Sequence, residues 1–150
     1  MLLIKNSRAS YDYQILKTYL AGIQLTGAEV KSLRQKTGSL RGSFVKIINH
    51  EAFLINAQIS PYKFAHDPEY DPKRTRKLLL KKKQIYQLKQ ATEKKGISLV
   101  ALSFKLINNK IKLKIGVGRG KKVFEKRAKI KKRTLKRNLA RKIKAGKIKV

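Results

Sequence analysis

Three constellations in this chain have the residue types from which sites are built, and two of them fail on inspection. Gly116, Gly118 and Gly120 stand just ahead of Lys121-Lys122, as in a loop whose amides cradle a nucleotide phosphate. That chemistry needs a glycine five positions before Gly120 and a hydroxyl residue after Lys121; Ile115 and Lys122 stand there instead, which argues against nucleotide hydrolysis. The glycines read as a flexible hinge. His66, Asp67, Glu69 and Asp71 could be drawn as a metal site, but the other histidine, His50, falls in a separate turn and there is no cysteine. No Gly-x-Ser-x-Gly occurs, and eight carboxylates must serve capping, charge balance and any acid-base role together. The chain is therefore expected to bind no metal, use no cofactor and catalyse no reaction.

The third constellation is the basic one, and its chemistry is phosphate binding. Gly116 to Val150 holds sixteen Lys or Arg and one acid, Glu125, so it carries +15 of the chain's +31. Phe124 is its only aromatic residue. Such a segment buries too little apolar surface to offset ordering costs of about 1 to 2 kcal/mol per residue, and alone in water it should be largely unfolded. Leu135, Leu139 and Ile143 give it a narrow apolar stripe at helical spacing, compatible with a helix that forms once its charges are neutralised. The remaining 115 residues are also basic, at +16, and a field of this size favours phosphate-rich partners. An anionic membrane would require a bulky apolar face that the tail lacks. The start Leu2-Leu3-Ile4 is too short for a signal peptide, and a monomer in the cytoplasm is expected.

A positioning scaffold must come from residues 1–118, with 119–150 as the tail. Tyr11, Tyr13, Ile15, Lys17 and Tyr19 alternate along a strand, and Gly22 permits a bend before Ile23 to Leu25. Thr26 and Glu29 have the spacing of a capping box, opening a short helix that stops before Gly38. Two strands meet at Asn49-His50 and two more at Asn108-Asn109. Between these hairpins lie a proline-rich surface loop at 61–76, an apolar run at 76–80 that is either strand or helix start, and a helix over 82–95 ended by Gly96. In KIKLKI, Ile111, Leu113 and Ile115 should face inward while Lys110, Lys112 and Lys114 form a row that is either solvated or meets phosphate. The sum is a mainly β protein: a small six-stranded antiparallel barrel of the OB type with two or three helices, or else an open sheet with helices on one face. Composition leaves open a shape-reading RNA-binding protein, a ribosomal protein or a general nucleic-acid compactor.

Several ordered stretches narrow this. Asn6-x-Arg8-Ala9-x-Tyr11, GAEVKSLR at 27–34, AFLIN at 52–56 with ISPY at 59–62, DPKRTRKLLL at 71–80, and Gly116-x-x-x-Gly120-Lys121-Lys122 with Lys126-Arg127 and Ile130-Lys131 resemble the SsrA-binding protein (small protein B) family over residues 5 to 133. The resemblance implies an OB-like barrel that grips the tRNA-like domain of transfer-messenger RNA (tmRNA). It also implies a tail that enters the empty mRNA channel beside the small-subunit decoding centre of stalled ribosomes and becomes helical there.

Carried onto this sequence, the resemblance assigns Asn6 and Leu79 to tmRNA recognition, and Arg8, Lys31, Arg34, Arg74, Arg76 and Lys77 join them as the expected RNA-binding set. The expected ribosome-binding set is Gly120, Lys121, Lys122, Phe124, Lys126, Arg127, Ile130, Lys131 and Arg133. Glu29 is read as a capping residue, with direct RNA contact as the alternative. Two departures stand out: Leu20 replaces the family's usual Glu before Ala21-Gly22, and Glu125 replaces the usual Asp before Lys126-Arg127.

Overall fold

The KIKLKI alternation organises the longest hairpin. In the computed structural model, which describes residues 1–121 and 123–144, β8 (Ile97–Ile107) and β9 (Lys110–Gly120) pair antiparallel from Ile107↔Lys110 to Ile97↔Arg119. Asn108 and Asn109 turn the chain with φ of 49° and 61°, the paired positive values that match the twist of a two-residue hairpin. Ile111, Leu113, Ile115 and Val117 are buried on one face of β9, against Phe104 and Leu99 of β8 in the same core.

Around this hairpin the chain adds β1 (Leu2–Lys5), α1 (Ser7–Asp12), β2 (Tyr13–Ile23), α2 (Gly27–Arg34), β3 (Gly38–Ser39), β4 (Phe44–Ile48), β5 (Glu51–Ile55), β6 (Gln58–Ile59), β7 (Arg76–Leu79) and α3 (Lys82–Thr92). The main sheet has seven strands in the order β1-β8-β9-β2-β7-β5-β4, all pairs antiparallel, and β3 pairs with β6 separately. The run at 76–80 is thus a strand, and Asn49-His50 makes the β4–β5 turn with φ of 49° and 62°.

Three expectations change. The six-stranded barrel gives way to the alternative of an open sheet, with seven strands in an order consistent with an OB-like fold and with β1 and β4 as edges. Asn6 and α1 lie along β8 where a closing strand would pair, and β4 packs against β8 without a ladder. Tyr11 belongs to α1 and the strand starts at Tyr13, while Leu2–Lys5 is a strand too short to show an alternation in the sequence. The hinge is the third: Gly116 and Gly118 sit buried inside β9. A Cβ on Gly116 would lie 2.9 Å from Leu102 Cδ1 and 3.2 Å from Ile15 Cδ1, and one on Gly118 would lie 3.0 Å from Tyr13 Cβ. These glycines permit close packing of β2 and β8 and are not a flexible joint.

The compact unit comprises Met1–Gly120. The tail forms α4 (Val123–Lys144), a 22-residue helix, in which Ile130, Leu135 and Leu139 are exposed. Among the described residues no helix is long and apolar enough to cross a membrane.

Candidate nucleic-acid interface

The scaffold is fixed from one buried carboxylate. Thr26 caps α2 by accepting from the Glu29 N–H at 3.2 Å, and Glu29 Oε1 accepts in return from the Thr26 N–H at 3.0 Å, completing the capping box read from the sequence. The same carboxylate, 1% exposed, also receives the long loop between β6 and β7. Arg74 donates to it through Nε at 3.2 Å and through Nη2, and Arg76 Nε reaches Oε2 at 2.7 Å. Tyr70 Oη lies 3.2 Å from Oε2 and 2.8 Å from the Ile59 carbonyl oxygen, its one proton serving both. Arg76 is fully buried and spends its remaining donors on the Ala57, Arg74 and Pro72 carbonyls and on Tyr70 Oη.

A buried acid is normally pushed up by loss of water, and that is the largest influence on Glu29. The hydrogen bonds from Arg74, the Thr26 N–H and Arg76 together outweigh it and hold the carboxyl at about 2. Burial raises the Tyr70 phenol in turn, with the Glu29 charge adding to the rise, so Tyr70 stays a neutral donor. The cluster pins both ends of the loop to α2.

Arg76, an expected RNA contact, changes role as a result, while Glu29 keeps the capping role read from the sequence. Arg76 has no exposed surface to offer an RNA, and both oxygens of Glu29 are engaged inside the protein, so these residues shape the surface without forming it. Arg74 is half-buried on the same carboxylate. What the loop does present is aromatic and basic: Tyr62 and Phe64 meet edge to face at 5.5 Å, with Lys31 of α2 over the Tyr62 ring at 5.6 Å. Arg34 is exposed on the same helix.

The outer face of the sheet carries the second part. Pairing aligns Lys105, Lys112, Gly22 and Leu79 in one row across β8, β9, β2 and β7, and Ser103, Lys114 and Leu20 in the next. Lys105 and Lys112 are directly opposed like charges, an arrangement that costs stability unless an anion sits over it. Neither has an ion-pair partner among the described residues. Leu20 and Leu79 are 45% and 49% exposed beside them. Gly22 leaves the floor open, since a Cβ there would stand 3.1 Å from Leu79 Cβ. The result is a hollow of about 640 Å³ lined by Leu20, Gly22, Lys77, Leu79, Lys112 and Glu51, with Lys77 Nζ 3.2 Å from Glu51 Oε1. Apolar side chains among ammonium groups suit a base or ribose with its phosphates outside.

Asn6 and Arg8 line a different hollow, of about 440 Å³, at the seam between β4 and β8. Asn6 Nδ2 donates to the Leu40 and Ala101 carbonyls at 3.2 and 2.9 Å, and its backbone N–H to Leu102 O at 2.8 Å, so it clamps the start of α1 to the sheet. Arg8 is exposed, 3.2 Å from Asp12 and 4.8 Å from the Tyr11 ring centroid. The expected RNA set is thus divided among the outer-face hollow, α2 with its loop, and the α1 seam. Lys105 was missed, though the Asn108-Asn109 turn sets the register that places it opposite Lys112.

In the tail Gly120 ends β9, and Arg127, Ile130, Lys131 and Arg133 are exposed on α4. Lys122 and the side chains of Phe124 and Lys126 lie outside the described residues.

The comparisons with known proteins bear on this geometry. The family model described as SmpB protein matches residues 3–145. The chain belongs to the SmpB family. An SsrA-binding protein of Persephonella marina is 46% identical over 145 residues, covering 97% of this chain and 95% of that protein. Those of Aquifex aeolicus and Bacillus pumilus are each 46% identical, over 96% and 91% of this chain and 92% and 88% of theirs. A chain in a solved structure described as "tmRNA-SmpB: a journey to the center of the bacterial ribosome" is 41% identical, with a TM-score of 0.69 over 82% of this chain and 87% of that one. Leu20 is exposed, and its row of the sheet holds Lys114 and Ser103 and no acid.

Proposed function

We propose that this protein binds the tRNA-like domain of tmRNA through Met1–Gly120 and delivers it to stalled ribosomes for trans-translation. The observation that carries this reading is the likeness, in sequence and in fold, to a chain solved as tmRNA–SmpB on the ribosome. The outer-face hollow supports it: phosphate-seeking lysines surround an apolar floor on a rigid sheet, the composition of an RNA-reading surface. The protein acts as an adaptor in the cytoplasm and catalyses no reaction itself.

The basic tail probes the empty mRNA channel near the decoding centre. Its positive charges repel one another when the segment is free in water, which opposes the helix, and ribosomal phosphates remove that opposition. Its exposed apolar positions, Ile130, Leu135 and Leu139, then have a surface to meet.

The test is a binding assay of the full-length protein on the tRNA-like domain and on an unrelated tRNA of equal length at fixed salt. Preference for the tRNA-like domain by at least about tenfold is expected; a specific complex is commonly separated from non-specific ones by more than this. Equal binding would leave a generic RNA-binding or ribosomal protein as the better description.

A further inference from the structure

The exposed face of α3 is a basic-aromatic surface that neither the sequence motifs nor the outer-face hollow accounts for. Its inner side packs on the core through Leu88, with Ala91 partly buried beside it. Its outer side presents Lys82, Tyr86, Lys89, Gln90 and Glu93, spaced to share one face. Tyr86 is 61% exposed, and Gln90 Nε2 donates to its hydroxyl at 2.8 Å, so the ring is steadied from its own helix. Among the described residues no ion pair engages Lys82 or Lys89. Together with His50, on the tip of the β4–β5 turn, these side chains line a hollow of about 520 Å³.

This hollow adjoins the one on the sheet. His50, Lys82 and Ile85 line both, so a strand of nucleic acid leaving the Leu20–Leu79 floor has Lys82 and then Tyr86 as its next contacts. A solvated helix face needs lysines but gains nothing from an exposed, hydrogen-bonded tyrosine among them. An unpaired base stacks on such a ring while its flanking phosphates meet the lysines.

We propose that α3 extends the tmRNA-binding surface: Tyr86 stacks one unpaired base of the tRNA-like domain, and Lys82 and Lys89 take the neighbouring phosphates. This rests on the tmRNA reading above and adds a second recognition point to it.

The experiment measures binding of full-length wild-type, Tyr86→Ala, Tyr86→Leu, Tyr86→Phe and Lys82→Ala/Lys89→Ala proteins to the tRNA-like domain over a salt series. Tyr86→Ala and Tyr86→Leu should each weaken binding about tenfold with the salt slope unchanged, while Tyr86→Phe stays within about twofold of wild type. The double lysine variant should lower the salt slope by about 1.5 to 2. The leucine variant keeps apolar bulk on an exposed site, so its loss reports the aromatic face and not the fold. Wild-type affinity in Tyr86→Ala overturns the proposal while leaving tmRNA binding intact, even if the same variant weakens ribosome binding. A wild-type protein that does not prefer the tRNA-like domain removes the tmRNA reading and this extension together.

Discussion

Replacing Glu29 with Gln removes one charge from the centre of the molecule and changes almost no volume. In the wild type that carboxyl is held at about 2 against an ordinary 4.5, and the difference corresponds to about 3 kcal/mol of stability at neutral pH. The substitution also leaves Arg76, fully buried, with its charge uncompensated; breaking a buried pair in this way costs about 3 to 5 kcal/mol. Domains of this size have only about 5 to 15 kcal/mol in total. Because the folded-state value is the lower one, the unfolded chain takes up the proton first as pH falls. Glu29's contribution is complete above about pH 5 and disappears progressively toward pH 2, with about 2 kcal/mol gone by pH 3. Urea unfolding followed by circular dichroism at pH 7 and pH 3 reads both quantities. Glu29→Gln should be less stable than wild type by about 3 to 5 kcal/mol at pH 7, and the gap should narrow by about 2 kcal/mol at pH 3. A variant within about 0.5 kcal/mol of wild type at pH 7, or a gap unchanged by acid, would refute the assignment of Glu29 as the pin of α2 and the loop.

Other outcomes follow from the same structure. Lys112→Ala should weaken tmRNA binding and lower its salt slope by about 0.7 to 0.9, while raising the stability of the free protein by some tenths of a kcal/mol as the opposed charge on Lys105 is relieved; a binding isotherm over salt and a urea curve check the pair. Gly116→Val should destabilise the domain by about 1 to 3 kcal/mol through overpacking against Leu102 and Ile15, seen as a lower thermal midpoint; a neutral result would restore the hinge reading. Ending the chain after Gly120 should leave preference for the tRNA-like domain intact and abolish peptide tagging on stalled ribosomes; parallel loss of both would show that the tail belongs to the RNA site.

Much of the scaffold was legible because its signals are local. Paired asparagines turn a hairpin wherever they occur between alternating strands, and Thr26 with Glu29 reads as a cap from spacing alone. The rest depends on contacts distant in sequence. That Gly116 and Gly118 are packing residues is decided by Leu102, Ile15 and Tyr13 from neighbouring strands, none of which the tail's composition reveals. The same holds for Arg74 and Arg76: in sequence they are cations in a basic stretch, and only the arrival of Glu29 from α2, some 45 residues away, turns them inward. Leu2–Lys5 was passed over because four residues carry little periodicity and its pairing with β8 spans nearly the whole domain. Leu79 was assigned by family resemblance; its exposure beside Leu20 and Lys112 is a product of strand order.

In the proposed function one protein meets two RNAs: tmRNA through the domain, and the ribosome's message channel through the tail. Chemical footprinting of the full-length protein on tmRNA and on ribosomes with an empty mRNA channel addresses both at once. Protection should appear on the tRNA-like domain and, dependent on residues 121–150, in the channel beside the decoding centre. Diffuse protection of ribosomal RNA with none on tmRNA would contradict it.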